Sequence, residues 1–247
     1  MKRALLALLV GCLTLGLASV VMAGENADAG VSLHITDLGI KASPQCVTEA
    51  PNFYPAGGAA IDTKAHACGG QKKGSGSWDV WVVVCNGSDS VGVAGVEFGI
   101  EYDIATGSGI DVDVWKACGD LEFTSGGFPQ GGGNIVTWEP TFNCQMDNTE
   151  EDEFGNEVRK SVIAVAGVFR VNLMGADQME IVPRQNSGKL KVADCSARED
   201  DLTNAVTPRN GRAAFCAGRR YNFCQYGAAL AGTQETTWGN IKTLYEN

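Results

Sequence analysis

Residues 77–103, SWDVWVVVCNGSDSVGVAGVEFGIEYD, indicate the fold most clearly. Two runs of β-strand character flank a cluster of Asn, Gly, Ser and Asp, which is typical of a hairpin or of a corner between two packed sheets. In the second run the apolar residues alternate with glycine and glutamate, so that Ala94, Val96, Phe98, Ile100 and Tyr102 share one face. Because that face needs a core, the stretch predicts an antiparallel β-sandwich.

Strand patterns of the same kind recur along most of the chain. They lie at 31–35, 109–118, 121–123, 134–138, 161–173, 179–183 and 190–195. In 109–118 the alternation places Ile110, Val112 and Val114 inward and leaves Trp115 exposed. The sequence therefore predicts an all-β fold of about eight to nine strands in one domain, residues 31–235.

Three segments depart from this pattern. Residues 41–76 are rich in Gly, Ala and Pro and contain two cysteines, which predicts a long, disulfide-pinned loop insertion. Residues 198–220 are polar and predict irregular structure. In the tail, residues 236–247, apolar side chains recur at helical spacing after Thr237, which can act as a cap, so we expect a short C-terminal helix.

The first 23 residues predict export. Lys2 and Arg3 precede an apolar run that ends in Val21-Met22-Ala23, as in a secretory signal peptide cleaved after Ala23. Residues 24–30 would then form a mobile polar leader, and no transmembrane span remains in the mature chain. Leu9-Val10-Gly11-Cys12 offers an alternative, because it resembles the site at which a lipoprotein is acylated on cysteine.

The mature chain keeps an even number of cysteines, which favours disulfide bonds in an exported protein. Their spacing fits no zinc site. Short loops lead us to expect the pairs Cys46–Cys68, Cys118–Cys144 and Cys216–Cys224, which leaves Cys85 with Cys195.

Composition narrows the range of partners. The formal net charge is −10, and loss of Lys2 and Arg3 with the leader makes it two units more negative. Nucleic acids and anionic membranes need clustered Lys and Arg, so both are poor partners for this chain. The remaining candidate partners are an extracellular protein and a polysaccharide.

An acidic run predicts a weak calcium site. Asp147, Thr149, Glu151 and Asp152 offer the oxygen ligands that Ca²⁺ prefers. The run departs from an EF-hand, because Asp152 occupies the position at which the sharp turn needs glycine. A solvated charged loop is the alternative, and no other cofactor is expected.

Catalytic motifs are missing from the sequence. There is no Gly-x-Ser-x-Gly, no His-Glu-x-x-His and no phosphate-binding Gly-rich loop, and the two histidines have no obvious partner. A secreted hydrolase with paired carboxylates remains an alternative hypothesis. Its candidate residues project from predicted strands and are Glu97, Glu101, Asp111 and Asp113. We nevertheless expect a protein that is not an enzyme.

Part of the chain resembles a known group. Residues 82–86 and 93–103, Trp115 with Cys118, and the tail at 237–245 are similar to uncharacterised exported bacterial proteins. The resemblance implies an immunoglobulin-like sandwich close to cohesins and carbohydrate-binding modules. It implies no functional residues.

Two binding functions follow as hypotheses. The first is a non-catalytic extracellular or cell-envelope interaction module whose ligand is unknown. The second is a carbohydrate-binding module, in which exposed Trp115, Trp138 or Trp81 would stack on sugar rings.

Overall fold

The computed structural model describes residues 24–37, 46, 66–67, 77–105, 107–146, 149–151, 157–159, 161–216 and 224. These residues contain fourteen strands, of which eight have four or more residues. The strands are β1 (Gly30–Asp37), β2 (His66–Ala67), β3 (Ser77–Gly87), β4 (Gly95–Glu101), β5 (Ile110–Ala117), β6 (Leu121–Glu122), β7 (Gly133–Thr137), β8 (Thr149–Glu151), β9 (Glu157–Arg159), β10 (Val162–Leu173), β11 (Asp177–Val182), β12 (Lys191–Ala193), β13 (Glu199–Asp201) and β14 (Arg212–Phe215).

The strands form two packed sheets and one small hairpin. Sheet I is antiparallel with the order β1-β3-β10-β5. Sheet II is built around β4, which pairs with β7 on one edge and with β11 and then β12 on the other. Strand β6 extends sheet II beyond β7, while β13 and β14 extend it beyond β12 and β11. Strand β2 runs parallel to β14, and β8 pairs with β9.

Residues 77–103 form the corner between the two sheets. Strand β3 lies in sheet I and β4 lies in sheet II, so residues 88–94 carry the chain from one layer to the other. The predicted all-β sandwich is therefore confirmed, with a corner rather than a hairpin. The core between the sheets includes Val80, Val82, Phe98, Ile100 and Phe169, each at most 1% exposed.

A second apolar cluster lies on the outer face of sheet I. Trp81, Val83, Cys85 and Val168 point away from the core, yet all are buried, and Cys224 packs with them. On the same face the Asp79 carboxylate accepts hydrogen bonds from Arg170 Nε at 3.2 Å and Nη2 at 3.4 Å. The outer face of sheet I is thus covered.

The disulfide pairings correct the sequence-based expectation. The bonds are Cys46–Cys118, Cys85–Cys224 and Cys144–Cys195, so all four expected pairs are wrong. Cys216 is also disulfide-bonded, and its partner, like Cys68, lies outside the described residues. The short-loop rule failed because each of these bonds joins elements that the sandwich topology brings together across 51 to 139 positions.

Other expectations meet mixed outcomes. Residues 198–220, expected to be irregular, contain β13 and β14. Residues 24–30, expected to be mobile, are anchored: Asn26 is fully buried, and its side-chain amide donates to Gly92 O at 2.8 Å. The signal peptide at 1–23, Cys12 and the tail helix at 236–247 lie outside the described residues, as does most of the insertion at 41–76.

Candidate functional site

Two loops frame a groove on the outer face of sheet II. We call residues 125–133 the glycine loop and residues 183–189 the Arg184 loop. The groove between them has a volume of about 460 Å³, and the end of β4 with the residues that follow it forms one wall. The lining residues are Ile100, Glu101, Tyr102, Ile104, Gln130, Gly131, Gly132, Val182, Pro183 and Gln185.

The glycine loop folds tightly because its glycines adopt backbone angles that other residues avoid. Gly126, Gly127, Gly131 and Gly132 all have positive φ, between 65° and 105°. At Gly132 a side chain would also overlap the carbonyl oxygen of Ser125. The sequence predicts this stretch as a turn-rich loop, but it contains no signal for the groove.

Tyr102 pins the glycine loop to β4. Its hydroxyl donates a hydrogen bond to Pro129 O at 2.9 Å, after a cis peptide bond between Phe128 and Pro129. Burial raises the pKa of Tyr102 to about 12, and the negative charges of Asp111 and Asp177 add to the shift. The phenol therefore stays protonated and keeps its hydrogen bond at physiological pH.

Beneath the loop, Phe128 joins an aromatic cluster. Its ring packs edge-on against Trp115, with ring centroids 5.2 Å apart, and lies 6.0 Å from Phe98 and 5.7 Å from Phe169. Gly167 makes room for the indole, because a Cβ there would overlap the Trp115 ring. The indole Nε1 donates to Glu122 Oε1, which also accepts from Asn134 Nδ2 at 2.6 Å.

This arrangement corrects the prediction that Trp115 is exposed. Arg170 pairs with Val114 while the next residue, Val171, pairs with Val112, so Asp113 is an extra residue that forms a β-bulge. The bulge reverses the alternation beyond it. Val114 therefore turns outward, 39% exposed, and Trp115 turns toward the core.

The Arg184 loop interrupts the pairing of β4 with β11 and β12, and its arginine ties it down. The Arg184 guanidinium donates to Glu97 Oε1 at 3.4 Å, to Ser125 Oγ at 3.1 Å and to Phe123 O at 3.2 Å. Ser187 Oγ also donates to Glu97 Oε1, at 2.6 Å. Glu97 is 8% exposed, so these donors replace the water that the buried carboxylate loses.

Apolar side chains stand exposed around the groove. Ile104 is 64% exposed at one end of it, and Phe123 is 53% exposed just beyond Arg184, whose guanidinium bonds the Phe123 carbonyl. Leu121, 61% exposed, lies on edge strand β6, and Phe123 follows β6 on the same side. On the wall of the groove, exposed Glu101 has no hydrogen-bond or ion-pair partner among the described residues, whereas its neighbour Glu180 is held by Arg212.

The structure places the candidate sugar-stacking residues inside the protein. Trp81 is 1% exposed in the outer cluster of sheet I, and Trp138 is 2% exposed in the core between the sheets. Trp115 is half-buried among aromatic rings. Because stacking on a sugar needs an open ring face, the expectation of exposed rings at these three positions is wrong.

The calcium candidate stays a prediction. Thr149 and Glu151 lie on β8, but Asp147 and Asp152 lie outside the described residues. Among the residues that the structure describes, no group of three or more His, Cys, Asp or Glu is arranged to hold a metal ion.

The four strand carboxylates of the hydrolase hypothesis are divided between the two sheets. Glu97 and Glu101 lie on β4 in sheet II, whereas Asp111 and Asp113 lie on β5 in sheet I. Four positions along one strand separate Glu97 from Glu101 by about 13 Å, which exceeds the roughly 5–9.5 Å between the paired carboxyl groups of glycosidases. Glu97 is also engaged by Arg184 and Ser187.

Fold and site together define a disulfide-linked β-sandwich with one covered face and one grooved face. No family model matches the chain, and no curated protein matches it in sequence. Within the described residues no helix is long and apolar enough to cross a membrane.

Solved structures similar to this chain include cohesin modules. One, from a family 33 glycoside hydrolase of Clostridium perfringens, has a TM-score of 0.38 and 8% identity and covers 76% of this chain and 97% of its own. A cohesin in a cohesin–dockerin complex of Clostridium thermocellum has a TM-score of 0.37 and 13% identity, covering 75% and 99%. A scaffoldin B cohesin of Acetivibrio cellulolyticus, in complex with a dockerin, has a TM-score of 0.38 and 11% identity, covering 76% and 99%. The expected likeness to cohesins is confirmed at this level, and at such scores it carries no argument about function.

Proposed function

We propose that the protein is a non-catalytic interaction module that works outside the cytoplasm and binds a polypeptide partner on the outer face of sheet II. The observation that carries the proposal is the groove between the glycine loop and the Arg184 loop, with exposed Ile104 at its end. The disulfide bonds support an oxidising compartment.

Among the residues that the structure describes, the faces and edges of sheet I are less suited to contact than this face. On the outer face of sheet I the apolar residues around Trp81 are buried, and Asp79 is paired with Arg170. Its edge strand β5 carries Asp111, Asp113 and a β-bulge, features that protect a strand edge from pairing with another chain. These features favour sheet II as the surface of contact.

The groove is built in advance of binding. Tyr102 fixes one loop and Arg184 fixes the other, so a ligand would not have to order them. The walls offer apolar surface at Ile104, Val182 and Pro183, and amide groups at Gln130 and Gln185. Amides and backbone groups suit the alternating donors and acceptors of an extended peptide.

Charge specifies the partner further. Glu101 lines the groove without an ion-pair partner among the residues described, in a chain of net charge −10. We therefore expect a segment with one apolar anchor for the surface at Ile104 and a Lys or Arg for Glu101.

The test is selection of a phage-displayed random peptide library on the oxidised full-length protein. We expect enriched peptides that combine an apolar residue with Lys or Arg. Ile104→Asp should weaken their binding at least tenfold, and Glu101→Lys should weaken it as well, because each change opposes one of the two contacts.

The matched control is Val206→Asp. Val206 is fully exposed in the loop between β13 and β14, so the change adds the same charge away from the groove and should leave binding unaltered. Peptides that bind the Ile104→Asp protein as tightly as the unmodified one, or a selection that enriches no peptide, would contradict the proposal.

A further inference from the structure

Asp200 is an acidic residue of an edge strand that faces the interior of the sandwich. It lies on β13 opposite Val192, a core residue, and paired residues of neighbouring strands share a face. Asp200 is half-buried, and its Oδ2 accepts one hydrogen bond, from Asn26 N at 2.9 Å. None of the ion pairs among the described residues includes Asp200.

The other charged groups nearby are already occupied. Glu199 and Asp201 flank Asp200 but point to the opposite face of β13, where Lys191 and Lys189 hold them. From the N-terminal turn, Glu25 accepts from Ser90 Oγ, and Asp28 is paired with Arg209. Asp200 is thus left as a half-buried carboxylate without a cation, although a carboxylate can accept about four hydrogen bonds.

Gly24 is pressed against this carboxylate. A Cβ on Gly24 would overlap Asp200 Oδ1 and would lie 2.5 Å from Cγ and Oδ2, so a larger residue there would displace the Asp200 carboxylate. The position is fixed, because Ala27 N donates to Gly24 O at 3.1 Å and the Asn26 side chain accepts from Ser88 N at 2.7 Å. The backbone nitrogen of Gly24 therefore lies within a few ångströms of a carboxylate that has no partner cation.

We propose that the chain is cleaved between Ala23 and Gly24 and that the new α-ammonium group of Gly24 forms an ion pair with Asp200. Hydrolysis by a signal peptidase consumes one water and leaves a carboxylate on Ala23 and an ammonium group on Gly24. The peptide nitrogen, previously neutral, then carries the positive charge that Asp200 lacks. The ion pair exists only in the processed protein, so maturation itself stabilises the folded state.

The first measurement is the intact mass of the protein exported with its own leader from a bacterial host. A mature chain that begins at Gly24 is expected, and a chain that begins at another residue overturns the proposal. Two forms are then compared, one beginning at Gly24 and one that retains Ala23, each with and without Asp200→Asn. Asparagine can still accept the hydrogen bond from Asn26 N, so the substitution removes mainly the charge.

Asp200→Asn should lower the melting temperature of the Gly24 form by about 2–4 °C and that of the Ala23 form by less than half as much. The ion pair raises the pKa of the ammonium group above its ordinary value of about 7.7–8.0, so its contribution is complete below that value and is lost as pH rises through the raised pKa. The difference should therefore vanish in alkali. Equal losses in both forms, or a loss that does not change with pH, overturn the proposal.

A second test needs no substitution and so does not depend on whether the Asp200→Asn protein folds. Between the two forms of the unmodified sequence, the Gly24 form should melt higher at neutral pH and lose that advantage in alkali. Identical melting curves at every pH would exclude the ion pair.

Discussion

Replacement of Cys85 and Cys224 by alanine tests how strongly the chain is held to the outer face of sheet I. The bond spans 139 positions, and the chain-entropy relation for a loop of that length gives about 5 kcal/mol at 25 °C, near the upper end of the roughly 2–5 kcal/mol observed for native disulfides. Both residues are at most 1% exposed, so removal of each buried sulfur costs about 1 kcal/mol more. We expect the free energy of unfolding to fall by about 4–7 kcal/mol, the sum of the cross-link and the two sulfurs.

The assay is urea unfolding without reductant, followed by tryptophan fluorescence, because Trp81 packs in the same cluster as the disulfide. The slope m should rise, since the unfolded chain loses a cross-link and exposes more surface. The matched control is Cys144→Ala with Cys195→Ala, whose bond spans 51 positions and for which the same relation gives about 4 kcal/mol. A loss below about 2 kcal/mol in the Cys85/Cys224 variant would be accounted for by the two buried sulfurs and would show that the cross-link contributes no stability.

Local contacts at β2, at Tyr102 and at Asp201 can each be tested. Ala67 pairs with Phe215 in parallel register, so we expect a disulfide bond between the next residues, Cys68 and Cys216. Non-reducing peptide mapping would exclude this bond if it recovered Cys68 as a free thiol or joined to Cys12. Tyr102→Phe should abolish the late phenolate absorbance near pH 12 and cost about 1 kcal/mol of stability, since Pro129 O loses its donor; an unchanged alkaline titration would contradict it. The hydrogen bond from Lys189 lowers the pKa of Asp201 to about 2. The stability that this carboxylate contributes is therefore present above its unfolded pKa of 3.8 and is lost as pH falls through 2. Asp201→Asn should weaken the dependence of the melting temperature on pH in this acidic range, and an unchanged dependence would contradict the prediction.

The layers of the fold were predictable because burial imposes a period of two. In β4 every second residue from Val96 to Ile100 meets the core, and the cluster of Asn, Gly, Ser and Asp before it predicts a turn or a corner. Which of the two occurs depends on whether β3 and β4 pair, and that is decided by the partners that each strand finds elsewhere in the chain. The sequence alone therefore could not decide between a hairpin and a corner, because the choice depends on the pairing of β3 with β1 and β10.

Trp115 shows why the site was less predictable than the fold. One extra residue at Asp113 reverses the side of the sheet on which every later residue of β5 lies, and nothing in the alternation from Ile110 to Trp115 signals it. The sequence does carry one related signal elsewhere. Gly167 lies in the middle of a strand, where a glycine marks the close approach of a large side chain. Its partner could not be identified without the register.

The disulfide pairs and the groove could not be predicted for a different reason, which is common to both. Cys144 and Cys195, like the two loops of the groove, are far apart in sequence and are brought together because β4 pairs with β7 on one edge and with β11 and β12 on the other. Local spacing carries no information about such contacts. It could indicate that residues 125–133 form a loop, but not that Arg184 would cross to that loop from the opposite edge of β4.

The same pairing explains why a groove forms at this point of sheet II. The Arg184 loop leaves the sheet after Val182, which pairs with Gly99, and returns at Lys191, which pairs with Glu97, so the excursion lies opposite Phe98. A side chain at Gly99 would lie 2.7 Å from Pro183 O and 3.1 Å from Gly132 O, so glycine is needed for both loops to approach β4. The groove is thus a consequence of an interrupted strand and a glycine beside it, held open by Arg184 on one side and Tyr102 on the other. A surface fixed in this way by the backbone can present the same shape to a partner in the absence of that partner, which is what a module that works by contact requires.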